Sequence, residues 1–146
     1  MAKAFSIEDG NLAQIPITSS RTRLYKDLDL EFLNRPSGDI YKKTDAAAVK
    51  QAIKNLLMTN RFEKPFKPNF GGGLNEFLFS LSTEFDEIDI QERIFDVITS
   101  YEPRAAVQKV NVTLLPDNNS INVTVVFQVI STREVVELTL SLVRLR

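Results

Sequence analysis

The chain has 146 residues with 18 Lys and Arg against 19 Asp and Glu, and 43% of its residues are hydrophobic. This length suits one domain with a substantial core, and the near-neutral charge argues against a dedicated nucleic-acid binder, which needs a basic footprint. The sequence contains no cysteine and no histidine, which excludes disulfides, thiol chemistry, histidine metal ligation and Ser-His-Asp or Cys-His catalysis.

Residues 1–23 show no sustained hydrophobic period. We interpret them as an N-terminal arm that is ordered only when something holds it. The arm lacks the apolar core of a signal peptide, and no apolar run in the chain approaches the roughly 20 residues of a membrane span. We therefore expect a soluble intracellular protein without metal or cofactor, with a single domain over residues 24–146.

The run from Leu24 to Phe32 is the first patterned segment. Leu28, Leu30 and Phe32 alternate with acidic residues. A period of two predicts a half-buried strand that buries these three side chains. Residues 34–38 are rich in turn formers and predict a loop.

Asp45 precedes an amphipathic run that predicts a first helix, capped by Asp45 and ending near Thr59 and Asn60. A second short helix is predicted after the glycines at 71–73. The apolar stripe of the first helix consists of Val49, Ile53, Leu56 and Leu57; that of the second consists of Leu74, Leu78, Leu81 and Phe85.

Residues 62–73, between these helices, contain two prolines, three phenylalanines and three consecutive glycines. Such a segment is neither a helix nor a central strand. Leaving three phenylalanines in water would expose a large apolar area, so we expect the loop to fold back onto the domain. A phosphate-binding loop is disfavoured, because no Gly-Lys-Ser/Thr follows the glycines and no buried strand precedes them.

Residues 90–104 predict a third helix that stops at Tyr101. Asp86, with Asp89 three residues later, is a plausible N-cap and a weak capping box. Pro103 cannot continue the helix and moves Glu102 out of the α region. Glu102 and Arg104 therefore lie at a fixed, non-helical exit beside a buried helix end. The apolar face of this helix consists of Ile90, Ile94, Val97, Ile98 and Tyr101.

After Arg104 the hydrophobic period switches to two, in three runs joined by turns at 116–119 and 131–133. Short connections imply antiparallel neighbours, and three strands alone bury too little apolar surface. The predicted fold is α+β, a three-stranded antiparallel C-terminal meander covered by about three helices, plus a short N-terminal strand. The inward-facing residues are Val110, Val112 and Leu114; Ile121, Val123, Val125, Phe127 and Val129; and Val136, Leu138, Leu140 and Leu142.

The last strand carries apolar residues on the side that should be solvated: Val135, Val143 and Leu145. An edge strand of this kind presents unpaired backbone groups with little protection. This edge is either a hazard or a docking site for a strand of another chain. The sequence pattern alone is explained equally well if Val135 and Val143 are apolar residues tolerated on the surface.

Four local patterns stand in order along the chain: residues 24–29, the helix over 49–60, the loop Arg-Phe-Glu-Lys-Pro-Phe-Lys-Pro-Asn-Phe-Gly over 61–71, and the helix over 90–104 that ends in Tyr-Glu-Pro-Arg. Together they resemble the baseplate wedge proteins that initiate the sheath of contractile phage tails. That family has homologues in type VI secretion and related contractile injection machines. The resemblance covers residues 24–146.

The resemblance implies that Glu102, Pro103 and Arg104 attach the protein to the helical core bundle of the wedge. The chemistry is suitable, because a guanidinium is a planar multidentate anchor. The alternative is that Glu102 and Arg104 pair with each other while Pro103 only ends the helix. The loop residues are expected to form a packing element in either case: Pro65, Phe66, Pro68, Phe70 and Gly71.

The resemblance also implies that the last strand templates the first ring of tail sheath subunits by β-strand exchange. The expected partners are the wedge proteins and the sheath protein, without nucleic acid or membrane. The expected location is the tail baseplate of a virion, assembled in the host cytoplasm, with several copies in a six-fold arrangement. The docking edge is expected to consist of Val135, Glu137, Thr139, Ser141, Val143 and Leu145.

Two other functions are compatible with parts of the sequence. A muramidase is prompted by the lysozyme-like label that such families carry, and a glycosidase needs two carboxylates across a cleft. No candidate carboxylate lies in a recognisable catalytic motif, and the chain has no tryptophan for sugar stacking. A generic adaptor that accepts strands from unrelated partners is the second alternative. The candidate carboxylates include Glu76, Glu84, Glu87 and Glu102.

Overall fold

A computed structural model describes residues 25–30, 32–33, 36, 38–79 and 86–144. The predicted N-terminal arm lies outside the described residues, as do Leu24, Leu81, Phe85 and Leu145. The architecture is α+β, as predicted. In chain order the elements are β1 (Lys26–Leu28), β2 (Lys42–Thr44), α1 (Ala46–Met58), α2 (Leu74–Phe79), α3 (Glu87–Tyr101), β3 (Ala105–Leu115), β4 (Ser120–Val129) and β5 (Val135–Val143).

The predicted C-terminal meander is confirmed. β3, β4 and β5 form an antiparallel sheet in that order, with a 3₁₀ turn at Pro116–Asn118 between the first two strands. All five predicted inward residues of β4 are buried, because β4 is the central strand. Of the other predicted inward residues, Val112, Leu138 and Leu140 are buried and the rest are half-buried.

The helices cover the inward face of this sheet and form one hydrophobic core with it. The predicted stripe of α1 is buried throughout, and so are Ile90, Ile94, Val97 and Ile98 of α3. Burying each such side chain contributes about 1.5–3 kcal/mol. Within the part of the chain that the structure describes, no helix is long and apolar enough to cross a membrane.

The two predicted N-caps have different outcomes. Asp86 occupies the N-cap of α3, and its N–H donates to the Asp89 carboxylate at 3.3 Å, as the capping box requires. Asp45 precedes α1 as predicted, but its side chain makes no capping bond to that helix. Its carboxylate instead accepts the N–H of Tyr25 at 3.4 Å, so this residue joins the start of α1 to the segment before β1.

The prediction for the strand over 24–32 was wrong in length and in the face that it buries. β1 is three residues long and pairs with β2 in a separate two-stranded sheet. Leu28, Leu30 and Phe32 are about half exposed or more, whereas Asp29 is buried.

Polar partners explain why the acidic side of this segment turns inward. Lys43 of β2 forms an ion pair with Asp29 at 2.9 Å. The side-chain amide of Gln51 in α1 donates to the carbonyl of Leu28 at 2.7 Å. Because these partners satisfy the polar groups, burying the polar face costs less than the hydrophobic pattern suggests.

Candidate functional site

β5 is the outer strand of the meander. Hydrogen bonds at its two ends establish which of its residues bond to β4 and which point outward. The N–H of Val129 donates to the carbonyl of Glu134 at 2.9 Å, and the N–H of Arg144 donates to the carbonyl of Asn119 at 3.0 Å. The backbone groups of successive residues point to opposite sides of a strand. The even-numbered residues of β5 therefore bond to β4, and the odd-numbered residues direct their N–H and C=O groups away from the sheet.

The outward-directed groups belong to residues that the sequence predicted as a docking edge. All of their side chains are exposed. Their outward N–H and C=O groups form no backbone hydrogen bond with another element in the described ranges. The register with β4 is continuous over the whole strand. These residues are Val135, Glu137, Thr139, Ser141 and Val143; the sixth predicted residue, Leu145, lies outside the described ranges.

Within the part of the chain that the structure describes, β5 lacks several of the usual defences of an edge strand. It contains no proline and no register shift, and Glu137 is its one charged residue. Natural edge strands are protected by bulges, prolines, charges or covering elements. β5 is therefore an uninterrupted edge strand of 9 residues of the kind that can accept another strand.

The opposite edge of the sheet is protected. Glu87 in the first turn of α3 accepts the outward N–H of Leu114 in β3 at 3.0 Å. A register shift between Val107 and Lys109 also interrupts β3. A bulge and a covering side chain both discourage strand addition. Among the described residues, the sheet thus has one protected edge at β3 and one uncovered edge at β5.

The corner formed by Glu102, Pro103 and Arg104 joins α3 to β3. The N–H of Glu102 donates to the carbonyl of Ile98 at 2.8 Å and closes the helix. Glu102 is buried. Its carboxylate accepts two hydrogen bonds from Arg104, one from Nε at 2.6 Å and one from Nη2 at 2.7 Å. A bidentate pair of this kind offsets the cost of burying a carboxylate.

Arg104 is held in place from two sides. Its guanidinium carbon lies 5.4 Å from the centre of the Tyr25 ring. The hydrogen bond to Glu102 raises the pKa of Arg104. The internal pair that was the alternative interpretation is therefore present. It uses two of the five N–H donors of the guanidinium, and Arg104 remains partly exposed beside an exposed Pro103, so donors remain for a partner's carboxylate.

The loop over 61–73 packs onto the domain through Phe70 but not through its other two phenylalanines. The Phe70 and Tyr101 rings meet edge to face with centroids 5.3 Å apart, and the Tyr101 hydroxyl donates to the carbonyl of Asn69 at 2.9 Å. Phe62 is 78% exposed and Phe66 is fully exposed. The expectation that this whole loop is a packing element was therefore wrong for Phe66, and both predicted prolines are exposed as well.

The glycines of the loop are required by close backbone approach. A Cβ on Gly71 would lie 2.4 Å from the carbonyl oxygen of Thr59, and Gly71 has φ 116°. The N–H of Gly72 donates to Leu56, and that of Gly73 to Thr59. These two amides are occupied within the fold, which argues against a phosphate cradle.

The candidate carboxylates for glycoside hydrolysis that the structure describes do not converge on a cleft. Glu87 and Glu102 are engaged by Leu114 and Arg104, Glu76 is exposed on α2, and Glu84 lies outside the described ranges. A groove of about 300 Å³ between α3 and β3 contains Glu92 and Asp96, one turn apart on one helix rather than on opposite walls. Among the described residues, no group of three or more acidic side chains could hold a metal ion.

Comparison with known proteins identifies relatives in contractile tails. The model of the family described as baseplate wedge protein gp25 matches residues 43–134. This match includes the loop and the corner and ends just before β5. Baseplate wedge protein gp25 of Enterobacteria phage T4 is 27% identical over 115 residues, which cover 79% of this chain and 87% of that protein.

Three solved structures share the fold at low identity. A putative tail lysozyme from Geobacter sulfurreducens has a TM-score of 0.58 at 20% identity, over 67% of this chain and 89% of that one. A chain of the six-fold symmetrised baseplate of the anti-feeding prophage has a TM-score of 0.56 at 19% identity, over 82% and 85%. A chain of the postcontracted pyocin R2 baseplate has a TM-score of 0.50 at 18% identity, over 82% and 99%.

Proposed function

The chain belongs to the family of baseplate wedge proteins, and we propose that it attaches to the wedge through the corner at Glu102, Pro103 and Arg104 and templates the first ring of sheath subunits along β5. In this role it is a structural component of the baseplate of a contractile tail rather than an enzyme. It acts in several copies around a six-fold particle, with the wedge core bundle and the sheath protein as its partners.

The open edge of β5 is the observation that carries the template role. A strand that adds to this edge would bond to the outward N–H and C=O groups of the odd-numbered residues, without disturbing the ladder with β4. Val135 and Val143 are more than half exposed on the same strand and would be covered in part by side chains of the added strand. Strand addition obtains its affinity from backbone bonds and its specificity from alternate side chains.

One added strand is too weak to hold a sheath subunit in free solution. Four to six new backbone hydrogen bonds contribute roughly 2–9 kcal/mol, at about 0.5–1.5 kcal/mol each. Association costs about 4–15 kcal/mol in lost translational and rotational freedom. A ring of templates fixed on the baseplate removes most of this cost by raising the effective concentration. Sheath growth should therefore depend on the assembled baseplate.

The corner supports the attachment role because its geometry is fixed before any partner arrives. Glu102 and the Tyr25 ring hold the guanidinium of Arg104, and Pro103 limits the backbone between the two charged residues. A preorganised guanidinium pays little conformational entropy when it binds a carboxylate on the wedge bundle.

The alternation of inward and outward backbone groups along β5 gives a sharp test of the template role. The N–H of Thr139 points away from the sheet, so Thr139→Pro removes a donor that an incoming strand needs but that β4 does not use. Thr139→Val is the matched control, because it keeps that N–H. We expect baseplates with Thr139→Pro to assemble but to grow no sheath, as seen by negative-stain electron microscopy, and those with Thr139→Val to grow sheaths. Normal sheaths on Thr139→Pro baseplates would refute the template role.

The muramidase alternative is favoured only by the name of one similar structure, the putative tail lysozyme. A turbidity assay on purified peptidoglycan tests it. We expect no clearing by the full-length chain. Clearing that disappears when a single carboxylate is changed would replace the structural role with an enzymatic one.

A further inference from the structure

The loop over residues 61–71 is an ordered projection rather than a loose connection. The N–H of Phe62 donates to the carbonyl of Pro68 at 2.9 Å and closes the loop at its neck. The N–H of Lys67 donates to the carbonyl of Lys64 at 3.2 Å inside it. At its base, Phe70 and Asn69 contact Tyr101. Phe66 therefore stands at the tip of a closed loop.

The exposed position of the Phe66 ring gives no burial that would stabilise the fold. Its side chain is fully exposed, and its backbone has φ 65°. Phe62 shares both features, with 78% exposure and φ 62°. A bulky residue at positive φ is a steric outlier, and such outliers are concentrated at binding and functional sites. An exposed aromatic ring on a strained, closed loop is suited to contact another molecule.

The charges around the tip indicate what kind of molecule it contacts. The loop carries Arg61, Lys64 and Lys67 against one carboxylate, Glu63. That carboxylate accepts the N–H of Asn60 at 2.7 Å. The Lys64 ammonium lies 4.0 Å from the centre of the Phe70 ring. Lys67 forms no ion pair with any residue in the described ranges.

An unsatisfied arginine of α3 lies near the first residue of the loop. Nε of Arg93 is buried and has no hydrogen-bond partner among the described residues. Burial and the nearby charge of Arg61 lower the pKa of Arg93, while Glu76 and Asp96 act in the opposite direction. The projection thus combines an exposed aromatic ring with Lys67, which has no ion-pair partner among the described residues.

We propose that Phe66 is the aromatic anchor of the wedge-attachment surface, and that it inserts into an apolar groove between helices of the wedge core bundle whose rim carries carboxylates for Lys67. The base of the loop contacts Tyr101, which directly precedes Glu102, so the projection continues the proposed attachment corner. The inference rests on the proposed attachment to the wedge. Aromatic side chains in desolvated pockets dominate the energetics of interfaces, and a closed loop loses little freedom on binding.

A competition experiment with the full-length chain tests this proposal. Wild-type and Phe66→Ala chains are co-expressed with the remaining particle proteins, and their ratio in purified baseplates is measured by mass spectrometry. Loss of a hot-spot aromatic should reduce incorporation about 30-fold. Phe32→Ala is the matched control, because Phe32 is also a phenylalanine at positive φ, 51°, and is 60% exposed. We expect that control to compete equally.

Arg104→Ala, measured in the same assay, separates the anchor from the proposed corner. If Arg104→Ala is excluded while Phe66→Ala enters at parity, the corner stands and the anchor is refuted. If Phe66→Ala is excluded while Arg104→Ala enters at parity, the anchor stands without the corner. Equal thermal unfolding of the purified Phe66→Ala and wild-type chains is expected, because the ring makes no contact that supports the fold.

Crosslinking identifies the partner chemistry. Benzoylphenylalanine in place of Phe66 should crosslink, within assembled baseplates, to a helical segment of a wedge protein that has Asp or Glu nearby.

Lys67→Glu should reduce incorporation, and a Lys at the crosslinked carboxylate should restore it. A crosslink to a second copy of this chain would refute the proposal. A membrane contact would replace the proposal under two combined results. Phe66→Ala would bind the wedge as well as the wild-type chain does, and it would bind anionic lipid vesicles more weakly.

Discussion

Glu87, in the first turn of α3, accepts a hydrogen bond from the backbone N–H of Leu114 in β3 at 3.0 Å. A side chain of the covering helix thus occupies a donor on one edge of the sheet, while the edge made by β5 has no such cover among the described residues. Strand addition, as proposed, would therefore be favoured on the β5 side of the sheet. The proposed template role needs such a preference.

Glu87→Ala should weaken both the fold and the protection of the β3 edge. We expect a loss of about 1 kcal/mol in the free energy of unfolding, because a partly exposed bond to a charged acceptor is removed. Urea denaturation measures the change. Glu92→Ala is the control, since Glu92 is exposed on the same helix and should change stability by less than about 0.5 kcal/mol. Equal midpoints for the two variants would show that the Glu87 contact adds no stability.

Arg104→Ala should destabilise the fold as well as the attachment. Removing the guanidinium leaves the buried Glu102 carboxylate without its two strongest donors, which should cost about 1–3 kcal/mol. Arg104→Lys is the informative comparison, because it keeps the charge but cannot form the bidentate pair, and it should fall between wild type and Arg104→Ala. If Arg104→Ala unfolds at the wild-type urea concentration, the buried pair is not a structural requirement.

Gly71→Ala should be among the most damaging small substitutions in the chain. The new Cβ would lie 2.4 Å from the Thr59 carbonyl oxygen, on a backbone with φ 116°, and we expect a loss above about 2 kcal/mol. Gly38→Ala is the matched control, since Gly38 also has positive φ, 79°, but a Cβ there meets nothing within 4 Å. Guanidinium denaturation should separate the two variants clearly; similar losses would mean that backbone strain rather than the steric contact dominates.

The sheet and the long helices were predictable because each depends on a local pattern. The period of two in β4 and the stripe in α3 fix which side chains are buried. The exception is Tyr101 at the end of α3, which is 38% exposed. The corner was predictable for the same reason, since Pro103 alone ends the helix and fixes where Glu102 and Arg104 stand.

The segments that the sequence misplaced depend on partners distant in the chain. Asp29 turns inward because Lys43 pairs with it and because Gln51 satisfies the neighbouring backbone, and neither contact is visible in the alternation of 24–32. The Asp45 carboxylate bonds to Tyr25 rather than to its own helix. Phe66 is exposed because the loop closes on itself through Phe62 and Pro68, a closure that composition does not reveal.

Both the sequence pattern and the hydrogen bonds of the structure are needed to identify β5 as the uncovered edge. The sequence identified apolar residues on its solvated side, and it gave no account of the hydrogen-bond phase. The contacts of Glu134 and Arg144 fix that phase, and they assign the outward backbone groups to the same residues whose side chains are exposed.

Hydrogen–deuterium exchange of β5 in baseplates, with and without the first sheath ring, tests the template role most directly. The odd-numbered amides should exchange quickly in bare baseplates and become protected when sheath is present, so a peptide spanning Val135–Val143 should retain up to five more amide protons. A peptide from β3 is the internal control and should not change. If β5 exchanges at the same rate in both samples while the sheath ring is present, no strand has been added to this edge and the template role is contradicted.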